Sequence, residues 1–169
     1  MAVENPWNLD RINQAALPLD GNASMGPLTG AGIDIYVVDT GVRFTHEQLN
    51  GRVTAGLDVP TYNGTSEVDP PSSDCGGHGT HVAAIAAGST TGVAVQANII
   101  SVRVLNCDGN ADVVDVVDGL RWIIRNHVSG RVAIVNLSLG VDLGDDGTAI
   151  IDKVHELNDD GVIVVVAAG

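Results

Sequence analysis

The sequence predicts an α/β fold in three layers, a mostly parallel sheet with helices on both faces. Three observations carry this. From residue 33 onward, short β-branched runs alternate with segments of helical periodicity, and such alternation implies parallel strands joined by right-handed crossovers. The run "IDIYVVD" (33–39) is short, apolar and β-branched, the mark of a strand covered on both faces. Finally, 169 residues of which 44% are hydrophobic suffice to bury a core in one folded unit.

The elements follow in order. Residues 1–32 are irregular, with one helical turn expected near Leu9 to Ala15. "IDIYVVD" (33–39) is the first strand, and "DVPTYNGTSEVDPPSSD" (58–74) reads as a long, turn-rich surface loop. "HGTHVAAIAAG" follows a glycine-rich loop and reads as an alanine-rich helix closed by Gly88. "ANIISVRVL" (97–105) is the second strand. In "ADVVDVVDGLRWIIRNHV" (111–128), Val113, Val116, Val117, Leu120 and Ile124 are spaced as on a helix. Acids occupy its first half and bases its second, matching the helix dipole. "RVAIVNLSLG" (131–140) is the third strand, "DDGTAIIDKVHELNDDG" (145–161) a helix ended by Gly161, and "VIVVVAAG" the fourth strand. No repeat or inter-domain linker interrupts residues 1–169. A chain that stops on a hydrophobic strand, with no closing helix, reads as a truncated fold.

Charge narrows the function. The formal net charge is −13, aspartate far outnumbers glutamate, and Lys153 is the only lysine. A duplex or an anionic membrane repels such a surface, so neither nucleic acid nor membrane is an expected partner. No apolar run has the length of a membrane span. "MAVENPWNLD" lacks the basic start and apolar stretch of a signal peptide, which fits an intracellular chain or a processed form. Some of the aspartates suit calcium, which takes carboxylate and carbonyl oxygens.

Open parallel sheets bind ligands beyond the carboxyl ends of their strands. Asp39 closes the first strand there, "DTG" turns the chain away, and His78 opens the next helix. The two can meet, although far apart in sequence. An Asp that accepts a hydrogen bond from a histidine fixes its tautomer and steadies the imidazolium. A metal reading of Cys75, His78 and His81 is weaker: two histidines three apart at a helix start splay from each other, and no second ligand cluster is near. A dinucleotide loop fails too, since Gly77 and Gly79 lack a third glycine at the right offset and no strand leads into them. No organic cofactor is expected.

These residues carry a resemblance. "IYVVDTGVRFTHEQLNGR", then "GGHGTHVAAIAAG", then "VNLSLG" resemble, in order, motifs of the subtilisin-like serine proteases, the subtilases. The similarity is greatest to their proteinase K branch, aqualysin-like members included, and "PWNLDRINQAALPLDG" resembles the mature start of that branch. The resemblance implies a subtilisin-like fold and hydrolysis of peptide bonds in protein or peptide substrates through an Asp-His-Ser triad. Carried over by position, Asp39 orients the histidine and His78 is the general base. His81 and His46 match structural histidines, with His81 expected to be partly buried. Ser138, Leu139 and Gly140 match one substrate-binding segment and Gly109, Asn110 and Ala111 the facing one, together holding a peptide as an added strand.

The chain departs from the family pattern at Ala84, Ala111 and Val141, where glycine is usual and an added Cβ crowds the groove. It covers somewhat more than half of a family catalytic domain. The oxyanion-hole Asn and the Gly-Thr-Ser nucleophile segment of the family are expected beyond Gly169, so the alternative is a truncated or pseudo-protease chain that only binds peptide or a partner. Its own missing C-terminal half is one such partner. For Cys75 and Cys107 the choices are two free thiols or the disulfide that aqualysin-like members carry at matching positions. A disulfide implies an oxidising, extracellular location. The resemblance also implies a structural calcium ion on Asp10, Asn13, Gln14, Asp20 and Asn22, with Asn13 in place of a carboxylate. A second, weaker calcium set is Asp58 with Glu67 or Asp69.

Overall fold

In the computed structural model, which describes residues 6–62, 65–66, 68–140 and 147–168, strand β1 (Asp34–Asp39) is the centre of the molecule. Glu67, Val141 and Gly169 lie outside the described residues. The other elements, in chain order, are α1 (Trp7–Asn13), β2 (Val53–Asp58), β3 (Thr61–Tyr62), β4 (Thr65–Ser66), α2 (His78–Ala87), β5 (Asn98–Arg103), α3 (Val113–Asn126), β6 (Ala133–Leu137), α4 (Gly147–Asp159) and β7 (Ile163–Val166). Five strands form one sheet in the order β2-β5-β1-β6-β7, and every pairing in it is parallel.

All six residues of β1 are buried, and its pleat divides the core in two. Tyr36 and Val38 pack with Val102, Val135, Leu120, Ile123 and Leu157 on the face covered by α3 and α4. Ile35 and Val37 pack with Val42, Leu49, Ala83, Ala87 and Ile99 on the face covered by α2. The three layers expected from the sequence are therefore present. The same parity turns Asp39 toward the α2 side, which is what lets it meet the start of that helix.

Two departures from the sequence reading concern the sheet and its loop. β2 was not expected: its run Val53–Asp58 includes Gly56, is exposed along one stretch, and is broken by a register shift between Ala55 and Leu57. Among the described residues it is an edge strand, paired with β5. The loop that follows contains the small antiparallel pair β3–β4. β7 is the opposite edge of the sheet, the exposed final strand that the truncated reading implies. It has no neighbour beyond β6 among the described residues, and Ile163, Val165 and Val166 are 50–58% exposed.

The carboxyl ends converge. Asp58, Arg103 and Asp39 stand side by side in the register of β2, β5 and β1, and Leu137 of β6 pairs with Val38. Arg103 and Asp39 are wholly buried. Arg103 Nη1 donates to Asp58 Oδ1 at 2.7 Å and to Pro60 O at 3.2 Å. Ser66 Oγ and Ser72 N donate to Asp58 Oδ2, and Ser101 Oγ donates to Ser72 O at 2.7 Å. The long loop is thus pinned to the sheet by one buried ion pair. The charge of Asp58 is matched by a guanidinium.

Candidate active site

At the end of β1, Asp39 Oδ1 accepts the Thr40 N–H at 2.7 Å. His78 Nδ1 lies 2.8 Å from Oδ1 and 2.9 Å from Oδ2 of the same carboxylate. A carboxylate only accepts, so in the neutral imidazole the proton is on Nδ1 and Nε2 keeps its lone pair. The His78 side chain is 51% exposed and that of Asp39 0%. The acid is hidden behind the base, and the base faces solvent.

Two glycines allow this approach. A Cβ at Gly79 would lie 2.1 Å from Gly41 O and 3.0 Å from Asp39 Cβ, and one at Gly41, whose φ is +100°, would lie 2.5 Å from Ser73 O. The "DTG" and "HGT" turns therefore interlock backbone to backbone.

A second carboxylate, that of Asp74 in the loop before α2, holds the interlock. Asp74 Oδ1 accepts Thr40 Oγ1 at 2.8 Å, Gly76 N at 3.0 Å and Gly77 N at 2.8 Å. Its Oδ2 accepts Thr80 N at 2.9 Å and the Thr80 hydroxyl. Partial burial opposes its charge, but these hydrogen bonds from Thr80, Gly77 and Thr40 outweigh that and hold its carboxyl below the ordinary carboxylate range. The available signal was an Asp just ahead of a helix whose N-cap, Gly77, has no side chain.

His78 opens onto a cleft of about 440 Å³ whose walls include all six residues anticipated for peptide binding: Gly109, Asn110, Ala111, Ser138, Leu139 and Gly140. Asn106 shapes the first wall: its Oδ1 accepts the N–H groups of Asp108 and Asn110, and its N–H donates to Asn110 O. Ala111 is exposed there, while Ala84 lines a different, outer cleft and so does not crowd this one. Ser138 Oγ accepts from Asn136 Nδ2 at 2.9 Å. The tripeptide Gly-Thr-Ser does occur, at 64–66, but Ser66 Oγ is spent on Asp58 and Val68 O. Among the described residues, Asp39 is the one side chain bonded to the His78 ring.

Cys75 and Cys107 are joined in a disulfide with Cα atoms 5.1 Å apart, inside the usual span. It ties the loop before the base to the segment before Gly109. The expectation of a partly buried His81 fails: His81 is exposed, on the outward face of α2, because Gly79, Thr80, Ala83 and Ala87 take the inward one. It lines the outer cleft with Arg43 and the half-buried His46.

The five N-terminal residues proposed for calcium do gather. Gly21 N donates to Asp10 Oδ2 and Asp20 N to Gln14 Oε1, while Asn22 N donates to Asp20 Oδ1. Asn13 Nδ2 donates to the carbonyls of Asn22, at 2.5 Å, and Ser24, at 3.3 Å.

Comparison with known proteins agrees with this geometry. Residues 30–169 match the profile of the subtilase family. An extracellular serine proteinase of Thermus sp. strain Rt41A is 44% identical over 99% of this chain and 38% of its own length. Alkaline serine exoprotease A of Vibrio alginolyticus is 40% identical over 96% of this chain and 28% of its own. Among solved structures, a cold-adapted subtilisin-like serine proteinase superposes with a TM-score of 0.87 at 40% identity, covering 99% of this chain and 57% of that one. The chain thus spans well under two thirds of the relatives it matches.

Proposed function

The chain belongs to the subtilase family, and from that premise we propose that it supplies the acid and the base of a secreted serine endopeptidase. The observation that carries this is His78 Nδ1 held by the buried Asp39 carboxylate at the mouth of a cleft walled by two glycine-bearing segments. In this reading a peptide lies between Gly109–Ala111 and Ser138–Gly140 as an added strand, bound through its main chain. His78 Nε2 takes the proton of a serine nucleophile, and Asp39 steadies the resulting imidazolium. The serine and the oxyanion-binding Asn belong to a continuation of the domain, which packs along the exposed β7. Secretion is supported by the disulfide and by the extracellular Thermus relative. A second reading, a chain that binds peptide or a partner without catalysis, is favoured by His78 having Asp39 as its one side-chain partner among the described residues.

The purified 169-residue chain is expected to bind peptide and not to hydrolyse it, because loss of one triad member leaves only a small residual rate. A serine-directed fluorophosphonate is expected to leave it unlabelled. Stoichiometric labelling would show that the nucleophile lies within these residues. In the longer parent protein, peptide cleavage is expected and His78→Ala abolishes it; a parent that is inert with His78 intact establishes the second reading instead.

Calcium enters as a structural ion. Asp10 is buried, and its Oδ1 has no hydrogen-bond partner, an orphaned oxygen that a cation would complete. Asp10, Gln14, Asp20 and Asn22 would hold the ion, with the Asn13 amide closing the turn beside it. The ion's contribution is to tie the N-terminal segment to itself. Calorimetry is expected to show a higher unfolding temperature in calcium than in chelator; superimposable transitions would remove the ion from this account.

A further inference from the structure

We propose that Asp74 is a positioning residue for His78, and that it works by fixing the direction of every proton in the turn between Asp39 and the helix start. The inference rests on the reading of His78 as a base. An ionised carboxylate has no hydrogen to donate, so all five of its partners must be donors: Thr40 Oγ1, Gly76 N and Gly77 N at one oxygen, Thr80 N and Thr80 Oγ1 at the other. Each threonine hydroxyl, having given its proton to Asp74, presents only lone pairs to its remaining neighbour. Thr40 Oγ1 then accepts Gly79 N at 3.0 Å, and Thr80 Oγ1 accepts Arg43 N at 2.9 Å.

The Gly79 bond is the one that matters to the base. Gly79 follows His78, and Thr40 follows Asp39. The chain Asp74–Thr40–Gly79 therefore clamps the residue after the base to the residue after the acid. Asp74 also serves α2 at long range. Gly77 caps the helix without a side chain, and Asp74, three residues earlier, takes the Thr80 N–H that an ordinary N-cap would satisfy. With both jobs on one side chain, Asp74 holds the helix start where His78 Nδ1 meets the Asp39 oxygens.

An amide cannot substitute for this carboxylate. Whichever way Asn is turned, its NH₂ end faces donors, so either the Thr40 side or the Thr80 side opens. The readout is the far-downfield proton resonance of His78 Nδ1–H in its bond to Asp39, assigned by its absence in His78→Ala. The wild-type chain is expected to show it, and Asp74→Asn to lose it while keeping a dispersed amide spectrum. Should that variant not fold, Thr40 decides: Thr40→Ser keeps the hydroxyl and is expected to keep the resonance, and Thr40→Val to lose it. Retention of the resonance in a folded Asp74→Asn or in Thr40→Val, or its loss in Thr40→Ser, overturns the proposal. The signal reports a hydrogen bond and not turnover. A wild-type chain that shows it yet binds no peptide would count against the protease reading alone.

Discussion

Arg103→Met is expected to destabilise the folded chain by about 3–5 kcal/mol, the cost of leaving one partner of a buried ion pair alone. The Arg103 and Asp58 side chains are 0% and 7% exposed, so water does not replace the lost guanidinium. Asp58 also keeps Ser66 Oγ and Ser72 N in place, and the loop from Asp58 to Asp74 loosens with it. Arg103→Met combined with Asp58→Leu removes both charges and is expected to recover much of the loss. The exposed pair Arg121–Asp118, whose side chains are 42% and 46% exposed, is the comparison: its removal is expected to change stability by less than about 1 kcal/mol. Urea unfolding of the four proteins tests this. A loss for Arg103→Met no larger than that for Arg121→Met would mean that the buried pair does not anchor the loop.

The second large effect is that of the disulfide. Its cysteines are 32 residues apart, and closing a loop of that length stabilises by about 3–4 kcal/mol on the chain-entropy estimate. Cys75→Ser with Cys107→Ser is expected to lower stability by that amount. Arg103 Nη2 lies 3.6 Å from Cys75 Sγ and 3.8 Å from Cys107 Sγ, so the bridge and the ion pair share a contact. Their combined variants should be non-additive. Strict additivity in the unfolding free energies would show the two to be independent.

Both effects concern residues that a sequence shows unequally well. α3 was legible because its apolar residues recur at helical spacing, β1 because its run is apolar and β-branched, and α2 because an alanine-rich segment is stopped by Gly88. The pairing of Asp39 with His78 was legible because strand ends and helix starts converge in a parallel sheet. β2 was not, since an edge strand with an internal glycine and one exposed stretch has the composition of a loop. Arg103 was hidden for the opposite reason, as a single charge inside the apolar run "IISVRVL", where its partner on β2 had not been seen. Asp74 stands one turn too early to be read as a cap. The exposure of His81 depends on which helix face meets the sheet, and small residues at Ala83 and Ala87 decide that only once the sheet is there.

The two halves of the dyad differ in what their persistence depends on. Asp39 ends the central strand, flanked on both sides and covered from above and below, so it leaves its place only when the whole sheet comes apart. His78 sits on the first turn of a short helix, half exposed, and that turn is held through the bonds of Asp74 and Thr40 and the close approach of Gly79 to Gly41. Structures open locally in units of unequal stability. The base therefore belongs to a unit that can swing away while the acid stays in register, and a population of molecules can retain its sheet yet have no dyad. Loss of the dyad on warming would then report the fraying of one turn, at a lower temperature than the collapse of the fold.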